Sequence, residues 1–282
     1  MNTSLVILAG GASSRMKSSQ TKEAIPARLA TQANSLHKGL IELGSEGKPL
    51  AYFLVKNAEM AGYRTIYFLV GEDSGPFREQ FSNNAEFNNI EIKYAIQFIP
   101  SDREKPFGTA DAVFQTMEQH PELQTKKFTV CNCDNLYSVK AMQVLSKSSS
   151  THGTIAYDKD FLQFSSERIS KFAVMQFNSD YQLLEIVEKP EKVKMNSFKD
   201  KEGKIRISMN IFAFNGKIIF KYLNDCPVNP DRNEKELPTA IRNMLTDYPF
   251  SMKGYPIAEH VPDLTSKNDI SSMQEYIQEY YK

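Results

Sequence analysis

The chain of 282 residues contains no tryptophan and only three cysteines, Cys131, Cys133 and Cys226. An odd and sparse cysteine count excludes a disulfide framework. Cys131-x-Cys133 has no second pair at zinc-ligand spacing, so these thiols read as small side chains of a buried strand. Charge of one sign is also missing: Lys+Arg and Asp+Glu each total 34, which leaves a net charge of +0 and none of the basic excess of a nucleic-acid-binding protein. No apolar run approaches membrane-spanning length, and the opening MNTSLVILAGG lacks the basic region of a secretory signal. The expectation is a cytoplasmic protein with no membrane partner. His37, His120, His152 and His260 are scattered and form neither a triad nor a metal signature. There is no internal repeat and no low-complexity tract.

What is present is an ordinary globular composition, 41% hydrophobic and 24% charged. Strand-like runs stand at 4–9, 65–71, 90–97, 127–133, 153–158, 171–177, 183–189 and 206–214. Helical spacing stands at 49–62, 108–119, 139–147, 235–247 and 271–281. Strand–helix alternation through the first 150 residues predicts an α/β fold with a largely parallel sheet covered by helices. Residues 151–214 are richer in strands, which predicts a mixed sheet or a substrate-binding lobe grown on the same core.

The stretch LVILAGGASSRM (5–16) leaves a strand through five small residues, Gly10 to Ser14, before reaching Arg15. Such a loop lets backbone N–H groups face an anion at close range, and in an open α/β sheet that point lies at the ligand-binding edge. It is neither a Walker A loop nor a dinucleotide fingerprint, since both spacings are broken.

Further motifs stand in order along the chain: HKGLIEL (37–43), GKPLAYFLVKNA (47–58), YAIQ ending at Gln97, FGTADAV (107–113), CNCDNLYS (131–138), IVEKPEK (186–192), SMNIFAF (208–214) and VPDLTSKND (261–269). Together with LAGGASSRM they make the chain resemble the sugar-1-phosphate nucleotidylyltransferases, the nucleotide-sugar pyrophosphorylases. Gly10, Gly11, Arg15 and Met16 match that family's opening loop, with Ser13 in place of its third glycine. The late segment keeps Asp263 and Asp269 but has Thr265 and Ser266 where the family has Gly-Thr, and lacks its tryptophan.

The resemblance implies a Rossmann-like three-layer nucleotidyltransferase fold with a central mixed, mostly parallel sheet. It implies one domain over 1–282, with a nucleotide-binding half (1–150), a sugar-phosphate half (151–270) and a C-terminal helix (271–282). The implied substrates are an NTP and a sugar-1-phosphate, with Mg²⁺ as cofactor. Two polyanions must meet, and the sugar phosphate is already an anionic nucleophile, so cations rather than a general base are needed. By the resemblance, Arg15, Lys38 and Lys189 are the catalytic cations: Arg15 on the β,γ-phosphates, Lys38 near the reacting centre, Lys189 on the sugar phosphate. Leu8, Ala9, Gly10, Gly11 and Ala12 form the nucleotide loop, while Gln97, Gly108 and Thr109 read the base. Asn135, Glu188 and Asn210 take the sugar, Asn210 from within an apolar strand. Asp134 and Asp263 supply the paired carboxylates that Mg²⁺ prefers. Asp111 is expected to face away or cap locally.

One stretch departs from the pattern. Arg15 and Lys38 are separated by 22 residues, longer than the family's interval, rich in Ser, Thr, Gln and Ala with a helical pattern in AIPARLATQANSL. It reads equally as a mobile lid and as a tolerated surface insertion. A competing register makes Lys22 the active lysine. Two other functions stand beside sugar nucleotidylation: cytidylyl transfer to a non-sugar phosphate such as phosphocholine, and a catalytically inactive nucleotide-sugar-binding regulatory subunit. Neither the base, the sugar nor the oligomeric state is specified.

Overall fold

A computed structural model of the chain describes residues 2–21, 24–82, 85–190 and 192–281, with the side chains of 192–194 left aside. The first half is built on four parallel strands, β1 (Ser4–Ala9), β4 (Thr65–Val70), β5 (Glu91–Ile96) and β6 (Lys127–Asn132), in the order β5-β4-β1-β6. A short hairpin, β2 (Glu42–Leu43) with β3 (Lys48–Pro49), stands apart from this sheet. β1 reads SLVILA because a central parallel strand is covered on both faces and has no polar side to show. Its Leu5 and Ile7 face one core and its Val6 the other, and full burial of each contributes about 1.5–3 kcal/mol.

The second half continues the same sheet with mostly antiparallel strands: β7 (His152–Asp158), β8 (Val174–Phe177), β9 (Leu183–Val187), β10 (Arg206–Ile207), β11 (Phe212–Asn215) and β12 (Met252–Ile257). Among the described residues this makes one ten-stranded sheet, ordered β5-β4-β1-β6-β11-β7-β10-β8-β9, with β12 parallel to β7 and paired with it off this path. Helices α1 (Ser14–Ser18), α2 (Ala27–Ser35), α3 (Leu50–Met60), α4 (Gly75–Phe81), α6 (Val139–Lys147) and α10 (Ile270–Tyr280) cover one face, and α5 (Thr109–Gln119), α8 (Gly216–Asn224) and α9 (Leu237–Asp247) the other. A one-turn α7 (Ser166–Ile169) lies on the connection from β7 to β8.

The run 206–214, expected as one strand, is two. Arg206–Ile207 pairs with β7 on one side and β8 on the other, whereas Phe212–Asn215 pairs with β7 and β6. The chain changes partner between them, through Asn210 at φ 55. Asn210 therefore does not sit inside an apolar strand; it is exposed at the carboxyl end of β6. β12 escapes the sequence pattern because Gly254 and Pro256 interrupt MKGYPI, and such residues are tolerated only near a sheet edge. α4 and α8 escape it too. α8 joins β11 without a linker, its entry marked only by the Asn215 side chain accepting from Lys217 N.

The long stretch after Arg15 is partly structural. Leu29 and Ala33 of α2 are buried in the main core. Residues before it are clasped to the late loop: Lys267 Nζ donates to the carbonyls of Ser19 at 2.7 Å and Lys17 at 3.1 Å. Lys22 lies outside the described residues.

Candidate active site

The carboxyl ends of β1 and β6, the start of α5 and the switch between β10 and β11 surround a cavity of about 1090 Å³. In open α/β sheets this is the crevice where ligands bind.

At the end of β1 and beyond it, Leu8, Gly10, Gly11, Ala12, Arg15 and Lys38 line it. Ala9 does not: alternation along β1 turns its side chain into the core with Leu5 and Ile7. The two glycines have different reasons. A Cβ on Gly10 would lie 2.2 Å from Gln97 Oε1, whereas one on Gly11 would meet nothing within 4 Å. The close neighbour of Gly10 is thus another residue of the same site, and Gly11 is the position left open to a ligand. Ser13, where the resemblance has glycine, adopts φ 54, and its Oγ accepts from Lys38 N at 3.1 Å. That bond fastens the loop after β1 to the lysine.

Gln97, Gly108 and Thr109 also line the cavity. Gln97 is 4% exposed, and its backbone N donates to Val70 O at 2.7 Å. Gly108 has φ 107, and a Cβ there would lie 2.7 Å from Lys235 O. The Thr109 hydroxyl accepts from Leu237 N at 3.0 Å, so the loop before α5 is locked to the start of α9. Asp111 is buried and accepts from Gln115 at 2.7 Å, a local role as expected.

Asp134, Asn135, Glu188, Lys189, Asn210 and Asp263 also line it. Asn135 and Asp263 are joined by a backbone bridge, and Leu264 N donates to Asp134 O at 2.8 Å. Two loops distant in sequence thereby present two carboxylates side by side. Burial opposes the ionisation of Asp134, but Lys38, whose ammonium is paired directly with it, outweighs burial and holds the carboxyl below its ordinary value. Asp263 goes the other way. Burial pushes its carboxyl up and the charge of Asp134 adds to this, against the pull of Arg168. Burial, with Lys38 beside it, lowers His37 to about 3, so this imidazole is neutral at physiological pH. Its Nδ1 accepts from Gly39 N at 3.0 Å and caps the turn that carries Lys38.

Left-handed backbone at residues other than glycine recurs here. Ser13, Lys189 and Asn210 have φ 54, 46 and 55 and all line the cavity. Each costs roughly 1–3 kcal/mol and persists only where neighbours enforce it. Just before Asn210, Met209 O accepts from the Tyr137 hydroxyl at 2.6 Å.

Several lining residues lie outside the sequence motifs. Arg232 is 2.9 Å from Glu188 and is also bonded to Glu236. Arg168 bonds Asp263 at 2.9 Å and is paired with Asp269. Arg168 comes from the one-turn α7 and Arg232 from an irregular segment, and neither gives a spacing signal. The cations Arg15 and Lys189, by contrast, make no side-chain hydrogen bond or ion pair among the described residues, and so are open to an anion.

Comparison with known proteins gives the family and the fold. A family model described as nucleotidyl transferase matches residues 4–279. A glucose-1-phosphate adenylyltransferase of Clostridium novyi (strain NT) is 23% identical over 261 residues, 89% of this chain and 61% of that protein. The bifunctional protein GlmU of Staphylococcus epidermidis is 25% identical over 251 residues, 88% of this chain and 46% of that protein. The chain thus spans about half to three-fifths of the length of these curated relatives. In fold it is similar to a UDP-glucose pyrophosphorylase solved with UDP-glucose, with a TM-score of 0.72 at 16% identity over 99% of this chain and 100% of that one. With the family model matching nearly its whole length, the chain belongs to the nucleotidyl transferase family.

Proposed function

We propose that the protein transfers a nucleotidyl group from an NTP to a sugar-1-phosphate, giving an NDP-sugar and pyrophosphate. The observation that carries this reading is the convergence on one cavity of two half-buried carboxylates from separate loops with cations from both halves of the chain. The relatives named for sugar-1-phosphate nucleotidyl transfer support it.

In the reaction a sugar phosphate oxygen attacks the α-phosphorus in line, one P–O bond forms, and the bond to the β-phosphate oxygen breaks. Open Arg15 neutralises the leaving pyrophosphate. Lys38, released from Asp134, lies where charge moves during transfer. Lys189, raised from the end of β9 by its left-handed backbone, holds the sugar phosphate. Glu188 accepts from sugar hydroxyls, with Arg232 fixing its orientation. Gln97 presents an amide, donor and acceptor together, to the base edge.

Asp134 and Asp263 fit a divalent metal: the donors are all oxygen, and the charge of Asp134 raises the Asp263 carboxyl, a conflict that a shared cation relieves. When bound, Mg²⁺ supplies charge neutralisation at the phosphates.

The test is pyrophosphate release from a matrix of NTPs against common sugar-1-phosphates and phosphocholine, with Mg²⁺. Turnover with one sugar pair, reduced about a thousandfold in Asp134→Ala, is the expected result. Nucleotide binding without turnover across the matrix would favour the regulatory subunit, and turnover with phosphocholine the cytidylyltransferase.

A further inference from the structure

Arg168 sits in α7, on a connection that no motif of the sequence covers. Its Nη2 donates to Asp263 twice, at 2.9 Å to Oδ2 and 2.8 Å to the main-chain carbonyl, and its Nη1 is hydrogen-bonded to Asp269 Oδ1. The Phe164 ring lies 4.5 Å from the guanidinium carbon. Facing this group, Lys38 is paired with Asp134. Each of the two carboxylates suited to a shared divalent ion therefore already has a cation of its own.

Arg168 is shared with Asp269, so the five side chains together carry a net charge of −1, but each of the two carboxylates facing one another has a cation on its Oδ2. A divalent ion that arrives alone meets two carboxylates each already paired through Oδ2, and must displace those cations, or bind against their charge, to use both. The Asp263 side chain is only 9% exposed, and its oxygens also accept from the Thr265 hydroxyl at 3.0 Å. Arg168, 24% exposed and lining the same cavity, is the more open partner. A triphosphate alters the balance, because its oxygens offer a guanidinium better acceptors than one shared carboxylate.

We propose that Arg168 is a resident counter-cation of Asp263, masking that carboxylate against a free divalent ion and yielding it when a polyphosphate fills the cavity. This rests on the reading of Asp134 and Asp263 as the metal carboxylates. Its bonds to Asp269 and to the Asp263 carbonyl, with Phe164 packed against it, keep Arg168 beside the site once the carboxylate is released. The metal is then taken up with the nucleotide and not before it. An occupied carboxylate lowers the apparent metal affinity by the fraction of molecules in which it is free.

The test measures Mn²⁺ binding to the full chain by electron paramagnetic resonance, without nucleotide or sugar. Arg168→Met and Arg168→Gln each remove the charge, and each is expected to bind Mn²⁺ about tenfold more tightly than the unaltered protein. Adding Asp263→Asn to Arg168→Met should abolish the gain, and Arg168→Lys should show none. Unchanged or weaker Mn²⁺ affinity in the charge-free variants, at an unaltered unfolding temperature, would overturn the proposal. The unaltered protein gives a second readout that does not depend on any variant folding. Water-proton relaxation by Mn²⁺ should show enhancement with inorganic tripolyphosphate present and little without it; equal enhancement in both cases would also overturn the proposal. Turnover in the substrate matrix without the Mn²⁺ effects would sink the role of Arg168 alone. The Mn²⁺ effects without turnover would sink the transferase reading alone.

Discussion

The two halves of the sheet solve different problems. In β5-β4-β1-β6 the strands run parallel and their apolar runs are continuous. The site there is carried by the loops at the strand ends: Gly10 to Arg15 after β1, Gln97 after β5, Asp134 after β6. In the second half the strands change partner and direction, and the site is made by departures from regular structure, such as Asn210 between β10 and β11 and Lys189 just beyond β9. The parallel half is thus a regular scaffold with a loop at its rim. The antiparallel half is held in shape by side-chain ties, Tyr137 to Met209 and Arg232 to Glu188.

The largest expected effect is at the seam between the halves. Gly108→Ala forces a left-handed residue to carry a Cβ 2.7 Å from Lys235 O, and should cost about 2–3 kcal/mol in chemical denaturation. A neutral result would mean that the two sides are not locked there.

A paired experiment sharpens the comparison further. Gly10→Ala pushes on Gln97 and should raise the KM for the NTP about tenfold while leaving that for the sugar phosphate unchanged. Glu188→Gln should do the reverse. Steady-state titration of each substrate checks both, and a shared change in the two KM values would break the division between the halves.

The smallest effect is confined to the parallel half. Glu122, bonded to Lys93 at 3.1 Å and Tyr67 at 3.0 Å, overcomes its burial and titrates at about 2 against an ordinary 4.5. A depressed carboxyl adds stability above its unfolded value that is lost as pH falls through the folded one. Glu122→Gln should therefore cost below about 1 kcal/mol at neutral pH, since the site is partly open to solvent. The difference from the unaltered protein should vanish as pH approaches 2, as read from thermal unfolding across that range.

The same contrast explains what is legible in the sequence. Parallel strands and their helices announce themselves by apolar runs and helical spacing, so the first half, its loop and Asp134 are readable. The family resemblance adds Lys38, Glu188 and Asp263, which spacing alone does not single out. The break in 206–214 is not readable, because a strand that exchanges β8 for β6 keeps its apolar pattern while its pairing changes. Arg168 and Arg232 are invisible for another reason. They reach the cavity from connections between the main elements, and only tertiary structure places an arginine from residue 168 against a carboxylate at 263. Ala9 reads as one of its loop neighbours, although strand alternation buries it.

The central claim is tested most directly in reverse. The protein is incubated with Mg²⁺, radiolabelled pyrophosphate and, in turn, common NDP-sugars and CDP-choline. The account predicts that label enters an NTP with one NDP-sugar and that Asp134→Ala suppresses the exchange. Binding of an NDP-sugar with no label entering any NTP, or exchange with CDP-choline alone, would contradict it.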